Sequence, residues 1–120
     1  MFSESFKPYL LDSLHRWCVD RSYTTHLMVM ANYPGVENPH SEFAHGDRMI
    51  LNLSSPCYQN IQIDSRGVRF DERSGGTLRK VEIPLAAVVG MYAAENRYGF
   101  SFDEPNLAKT RAKPQLRLVR

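Results

Sequence analysis

A change of hydrophobic period near residue 26 constrains this chain more than any other feature. Before it, apolar residues recur at helical spacing. Leu10, Leu14, Trp17 and Cys18 fall at i, i+4, i+7 and i+8, which places them on one face of a helix. Tyr9, Leu11 and Val19 widen that stripe, and Asp12, Arg16, Asp20 and Arg21 fill the rest of the circumference. Pro8 stands where a first helical turn tolerates a missing N–H. The pattern predicts a helix over residues 8–21. Beyond it the period drops to two. Leu27, Val29, Ala31 and Tyr33 alternate with Met28, Met30 and Asn32, as in a strand with one buried face.

Pro34-Gly35 ends that strand, and residues 36–48 read as a polar loop. Further strands are predicted over 49–53, 61–64, 68–71 and 78–83, with turns at Ser65-Arg66-Gly67 and Ser74-Gly75-Gly76. Segment 84–94 carries mixed signals. Pro84 and the alanines favour helix, Val88, Val89 and Tyr92 favour strand, and Gly90 weakens a helix by about 1 kcal/mol relative to alanine. A helical turn over 84–87 followed by a strand over 88–93 and a stop at Glu95-Asn96 accommodates both. Short strands with glycine turns after one helix predict a mainly β, α+β domain, a small antiparallel barrel or sandwich. The helix's apolar band is wider than one small barrel uses. It suits either a second subunit or a helix lying across its own sheet.

Residues 105–115 contain one large aliphatic residue, two prolines and no periodicity. Such a stretch buries too little apolar surface to offset its ordering entropy, so a linker is expected there. It leads to Leu116-Arg117-Leu118-Val119-Arg120. Two readings of that motif stand equally open: a peptide for another protein's groove, or a segment folding back on its own domain. The expected organisation is a body over 1–104, a linker over 105–115 and a motif over 116–120.

Charge follows the same division. Residues 105–120 carry Lys109, Arg111, Lys113, Arg117 and Arg120 with no acid, whereas residues 1–104 hold ten basic and thirteen acidic residues. A mildly acidic body argues against a nucleic-acid surface, which needs a dense basic patch. No apolar stretch is long enough to span a bilayer, and no secretory pattern opens the sequence. Cys18 and Cys57 lack metal-like spacing. A cytoplasmic, reduced protein without cofactors is expected.

Catalysis is not predicted. His40, Glu42 and His45, followed by Asp47, crowd one loop, but without cysteine or regular spacing they read as a solvated loop rather than a zinc site. Cys18 lies on the apolar helix face as a small hydrophobe. Asp71 and Glu72 are neighbours on a strand and so face opposite ways.

Several segments together resemble one family. Pro8-Tyr9-Leu10-Leu11, Trp17, Pro34-Gly35-Val36, Leu51-Asn52, Val68-Arg69-Phe70, Gly75-Gly76, Pro84-Leu85-Ala86-Ala87-Val88 and Tyr92-Ala93-x-Glu95-Asn96 occur in order. With Leu116 to Arg120 they make the chain similar to stringent starvation protein B (SspB), the adaptor of the ClpXP protease. The resemblance implies an Sm-like β-barrel dimeric through its N-terminal helix, here through Tyr9, Leu10, Leu14, Trp17 and Cys18. It implies a groove for the ssrA tag of proteins from stalled ribosomes, with Asn52, Phe70, Glu72, Arg73, Ser74, Gly75 and Gly76 as candidates. Phe70 also suits a core position, and the glycine pair a hairpin turn. It implies docking of Leu116, Arg117, Leu118, Val119 and Arg120 on the N-terminal zinc-binding domain of ClpX.

The chain departs from the pattern in three places. The linker is short and basic where relatives carry a long acidic one. Glu72 and Ser74 stand where relatives tend to have Ala and Phe. The loop over 39–48 is one residue longer. Two alternatives follow. One is an adaptor for a different endogenous peptide, motivated by Glu72 and Ser74. The other is an RNA-binding barrel in which Tyr58, Phe70, Tyr92 and Tyr98 stack bases.

Overall fold

The computed structural model describes residues 4–36, 43–45, 47–102 and 116–117; the side chains of 43–45, 74 and 116–117 are not among the described features. Helix α1 (Lys7–Asp20) follows a single 3-10 turn and carries Pro8 in its first turn. Its buried stripe is Lys7, Pro8, Leu11, Leu14 and Cys18. The helix ends without glycine. Ser22 adopts φ 59° and donates its N–H to Val19 C=O, while Tyr23 N–H donates to Cys18 C=O at 2.8 Å. This paired arrangement satisfies the last helical carbonyls.

Strands β1 (Thr25–Met30), β2 (Phe43–His45), β3 (Arg48–Asn52), β4 (Tyr58–Asp64), β5 (Gly67–Ser74), β6 (Thr77–Ile83), β7 (Val88–Ala93), β8 (Gly99–Phe102) and β9 (Leu116–Arg117) follow. They form a six-stranded sheet in the order β2-β3-β1-β7-β8-β9 and a three-stranded sheet in the order β4-β5-β6, with antiparallel pairs throughout. The expected α+β class is what is seen. Among the described residues no ladder joins the two sheets, so the strands make a two-sheet sandwich rather than a closed barrel.

The period of two sets the register. Leu27 lies opposite Leu51 and Met91, and Val29 opposite Met49 and Val88. In the smaller sheet Val68 faces Ile83 and Phe70 faces Val81. These inward residues meet between the sheets with Leu11, Leu14 and Cys18 of α1. Burial of each such aliphatic side chain contributes roughly 1.5–3 kcal/mol. A bulge between Met28 and Val29 lets both Val88 and Val89 be buried. A second bulge, with Asn60 at φ 57°, interrupts β4 between Gln59 and Gln62.

Two turns require glycine. Gly75 and Gly76 close the β5–β6 hairpin with φ of 56° and 83°, between the opposed Ser74 and Thr77. Positive φ at both central residues matches the twist of the flanking strands. Gly67 has φ 127°, and a Cβ there would lie 2.1 Å from Ile83 C=O.

The sequence expectations held for α1, β3, β6 and the 84–93 segment, where a 3-10 turn at Leu85–Ala87 precedes β7. The strand from residue 26 stops at Met30 rather than reaching Tyr33, because Tyr33 N–H turns back to Met30 C=O. β4 and β5 are longer than expected, and β2, β8 and β9 were not expected as strands.

Candidate functional site

The crossing between sheets organises the expected groove. Asn52 ends β3, and its Oδ1 accepts the Ser54 N–H at 2.9 Å. This local bond turns the chain out of the large sheet. Leu53 is buried, with its N–H on Thr25 C=O. Cys57 C=O accepts the Arg73 N–H at 2.8 Å, which carries the chain into the small sheet beside the end of β5. Tyr58 then lies opposite Glu72. The crossing thus links Asn52 to the Glu72–Arg73 end of the hairpin.

Side chains on β5 alternate as a strand requires. Asp71 faces outward, where its Oδ2 accepts from Asn60 Nδ2 at 2.9 Å. Glu72 shares the inward face with Val68 and Phe70 and is only 2 % exposed. A carboxylate held there needs a strong partner. Arg79, directly opposite on β6, donates from Nη2 to Glu72 Oε1 at 2.9 Å, with 36 % of its own side chain accessible. Arg79 was missed by sequence reasoning. Counting back from the Gly75-Gly76 turn pairs 74 with 77, 73 with 78 and 72 with 79, so the signal was present in the hairpin.

Phe70 belongs to the core: it is 2 % exposed and its ring lies 4.4 Å from that of Tyr58. It is enclosed by the sandwich, and the residue also borders a cleft on the outer face of the small sheet. Arg73, Gly75 and Gly76 are exposed at the hairpin end, whereas the Ser74 side chain lies outside the described features. Two clefts are also present. One, of about 240 Å³, lies on the outer face of the small sheet between Gln62, Arg69, Asp71, Lys80 and Glu82. The other, of about 540 Å³, runs between Pro8, Tyr9 and Asp12 of α1 and Ile63, Asp64 and Ser65. Neither is lined by Asn52 or Glu72.

The helix stripe divides between two duties. Leu14 and Cys18, expected at a subunit interface, are instead consumed by the protomer's own core, because the buried face is centred on Leu11 rather than Leu10. Burial pushes the Cys18 thiol up, opposed by a hydrogen bond with Thr25. Tyr9, 68 % exposed, together with the half-buried Leu10 and Trp17, remains on the outer stripe. Trp17 packs on Tyr23 and on the exposed Tyr98, with centroids at 5.1 and 5.5 Å.

Glu95 and Asn96 have structural work. Glu95 accepts the Thr24 N–H at 2.8 Å and the Thr24 hydroxyl at 2.7 Å, tying the end of β7 to the start of β1. The Thr24 N–H, then its hydroxyl, hold this carboxyl below its ordinary range. Asn96 Oδ1 accepts the Tyr98 N–H in the turn to β8. At the other end of β8, the Lys7 ammonium sits over the Phe102 ring at 4.5 Å. Burial lowers the Lys7 pKa to about 8, against an opposing pull from Glu4.

The remaining expectations can be placed. His40 and Glu42 lie outside the described residues, as does the His45 side chain. Among the described residues no group of three or more His, Cys, Asp or Glu could hold a metal ion. Cys18 and Cys57 are both free thiols. Tyr58 and Phe70 stack on each other inside the fold, which removes two of the four aromatics required by the RNA reading. No helix among the described residues is long and apolar enough to cross a membrane. The backbone of Leu116–Arg117 pairs with β8, so the fold-back alternative describes these two residues. Residues 105–115, Leu118, Val119 and Arg120 lie outside the described residues.

One helix packed against two antiparallel sheets, with the chemistry concentrated in a hairpin-end ion pair and an outer helix stripe, defines a small α+β domain. The chain belongs to the stringent starvation protein B family, whose model matches residues 5–117. It is 37% identical over 97 residues to the stringent starvation protein B homolog of Haemophilus influenzae. That match covers 81% of this chain and 64% of the relative, so the chain spans less than two thirds of the relative's length. Membership supports a stringent starvation protein B-like role.

Proposed function

We propose that this chain is a non-enzymatic cytoplasmic adaptor that binds ssrA-tagged proteins and tethers them to the ClpX unfoldase, raising their degradation by ClpXP. The family match over residues 5–117 carries this reading. The body grips the tag at the end of the β5–β6 hairpin, between Asn52 and the Glu72–Arg73 segment. Residues 105–115 serve as linker, and 116–120 dock on the N-terminal zinc-binding domain of ClpX.

Burying Leu116, Leu118 and Val119 would supply roughly 5–8 kcal/mol gross. Lost rigid-body freedom and side-chain ordering take back much of that. One docking segment therefore binds weakly. A homodimer formed through the outer stripe of α1, with Tyr9, Leu10 and Trp17, presents two segments to one ring, and the second contact then occurs at an effective concentration near millimolar.

The buried Glu72–Arg79 pair supports a second reading, in which the same groove prefers a different endogenous peptide. Glu72 is buried and neutralised, so the charge a peptide meets there is the accessible Arg79 guanidinium, which favours a peptide that brings a carboxylate to the hairpin end. A titration of labelled ssrA peptide and of a glutamate-substituted peptide separates the two. The tag reading requires saturable binding of the ssrA peptide. It also requires that removal of 116–120 leave that binding intact while abolishing stimulation of ClpXP. Equal stimulation by the shortened chain would refute the docking role.

A further inference from the structure

β8 reads Gly99-Phe100-Ser101-Phe102, with no charge and no proline along it. A strand of that composition has none of the usual protection against added strands when it borders a sheet. The chain itself supplies the cover. Leu116 lies opposite Phe102 and Arg117 opposite Ser101 in an antiparallel pair.

Alternation along β8 decides which groups face this edge. The Ala93 N–H donates to Tyr98 C=O at 2.9 Å, and Met91 lies opposite Phe100. Backbone groups at 98, 100 and 102 therefore face β7, and those at 99 and 101 face β9. Ser101 presents its N–H and C=O to Arg117. Nearby, Phe102 is anchored by Lys7 on one side and Phe100 on the other, so the receiving strand is preformed.

We propose that the outer edge of β8 is a docking strand for the chain's own Leu116–Arg117, held in cis, and that this latch masks from any second protein the motif that these residues begin. The latch stands on the β8–β9 pairing; only the identity of the masked partner rests on the adaptor reading above. The thirteen residues from 103 to 115 can reach at most about 45 Å, whereas paired strands lie about 4.8 Å apart. A cis contact of this kind faces an effective concentration near millimolar, which a second copy at micromolar concentration does not match. A partner sees only the open fraction, so a latch closed about four-fifths of the time weakens docking about fivefold.

Amide exchange by NMR tests the latch without ClpX. In the full chain the Ser101 amide is expected to exchange about fivefold more slowly than in a chain truncated after Gln115, at every protein concentration. Equal exchange in the two chains overturns the latch. Slowing that grows with concentration assigns the segment to a second copy and overturns the cis arrangement. The masking is tested with Ser101→Pro, which removes the edge donor and spares the β7 ladder; unchanged protection in β1 and β3 verifies its fold. This variant is expected to bind the isolated ClpX N-terminal domain about fivefold more tightly than the full chain. Equal, measurable binding overturns the masking. Binding by neither chain counts against the adaptor reading, while the Ser101 exchange still decides the latch.

Discussion

Replacing Arg79 with leucine should cost more than replacing Glu72, although the two share one ion pair. Glu72 is 2 % exposed and faces the core, so without the guanidinium its carboxylate remains desolvated. Breaking a fully buried pair from one side costs about 3–5 kcal/mol. Arg79 keeps 36 % of its side chain accessible, so water already screens the pair and the expected loss falls to about 2–3 kcal/mol. Glu72→Leu leaves an arginine able to turn its head into water, at about 1 kcal/mol. The double variant exchanges the pair for apolar contact with Tyr58 and Phe70 and should lie within about 1 kcal/mol of the parent. Urea unfolding of all four chains provides the assay. With a typical slope of about 1.5 kcal/mol per molar, Arg79→Leu should lower the midpoint by about 1–2 M. Equal single losses that add in the double variant, with a coupling below about 0.5 kcal/mol, would refute the account.

Stability should also depend on pH through Lys7. Burial depresses its folded-state pKa to about 8 from 10.5, so between these values the unfolded chain binds more protons and stability rises with pH. The stability gap between the parent and Lys7→Met should therefore move in the parent's favour from pH 8 to pH 10; a gap independent of pH would count against the burial of Lys7. Glu95 acts in the opposite range. Its carboxyl is depressed by the Thr24 N–H, so its contribution is present above 4.5 and lost as pH falls through the folded value. Glu95→Gln should flatten that part of the acid limb, read by thermal unfolding between pH 5 and pH 3. For assembly, Tyr9→Glu should dissociate a homodimer in sedimentation experiments, whereas Cys18→Ser should destabilise the fold without a selective effect on association, since Cys18 is wholly internal.

Periodicity made most of the fold legible. The 3.6 spacing located α1, and the shift to a spacing of two located β1. The glycine turns bounded β5 and β6. What remained hidden depends on contacts distant in sequence. Gly99-Phe100-Ser101-Phe102 is too short to display a period, and it becomes a strand because β7 presents a complementary edge. The helix face was off by one position, since Leu10 and Leu11 are equally apolar and only the sandwich decides which of them turns inward. Of the candidate groove, Gly75 and Gly76 were recognisable as a turn and Phe70 as a core residue. Glu72 was recognisable only as a departure, because its partner emerges from the register of the hairpin.

That register explains how a chain can keep this fold while altering what it holds. Inward positions 68 and 70 on β5 and 81 and 83 on β6 are apolar and fully enclosed, so they set the sandwich and leave little latitude. Positions 72 and 79 continue the same face but sit beside the turn, where Arg79 already reaches water. A carboxylate is tolerated at 72 because a guanidinium stands opposite at 79. Two residues deeper, at 70, the same exchange would strand both charges among Tyr58, Val68 and Val81. Specificity can therefore diverge at the hairpin end without disturbing the core, and the ion pair is where a preference distinct from an apolar groove would be expressed.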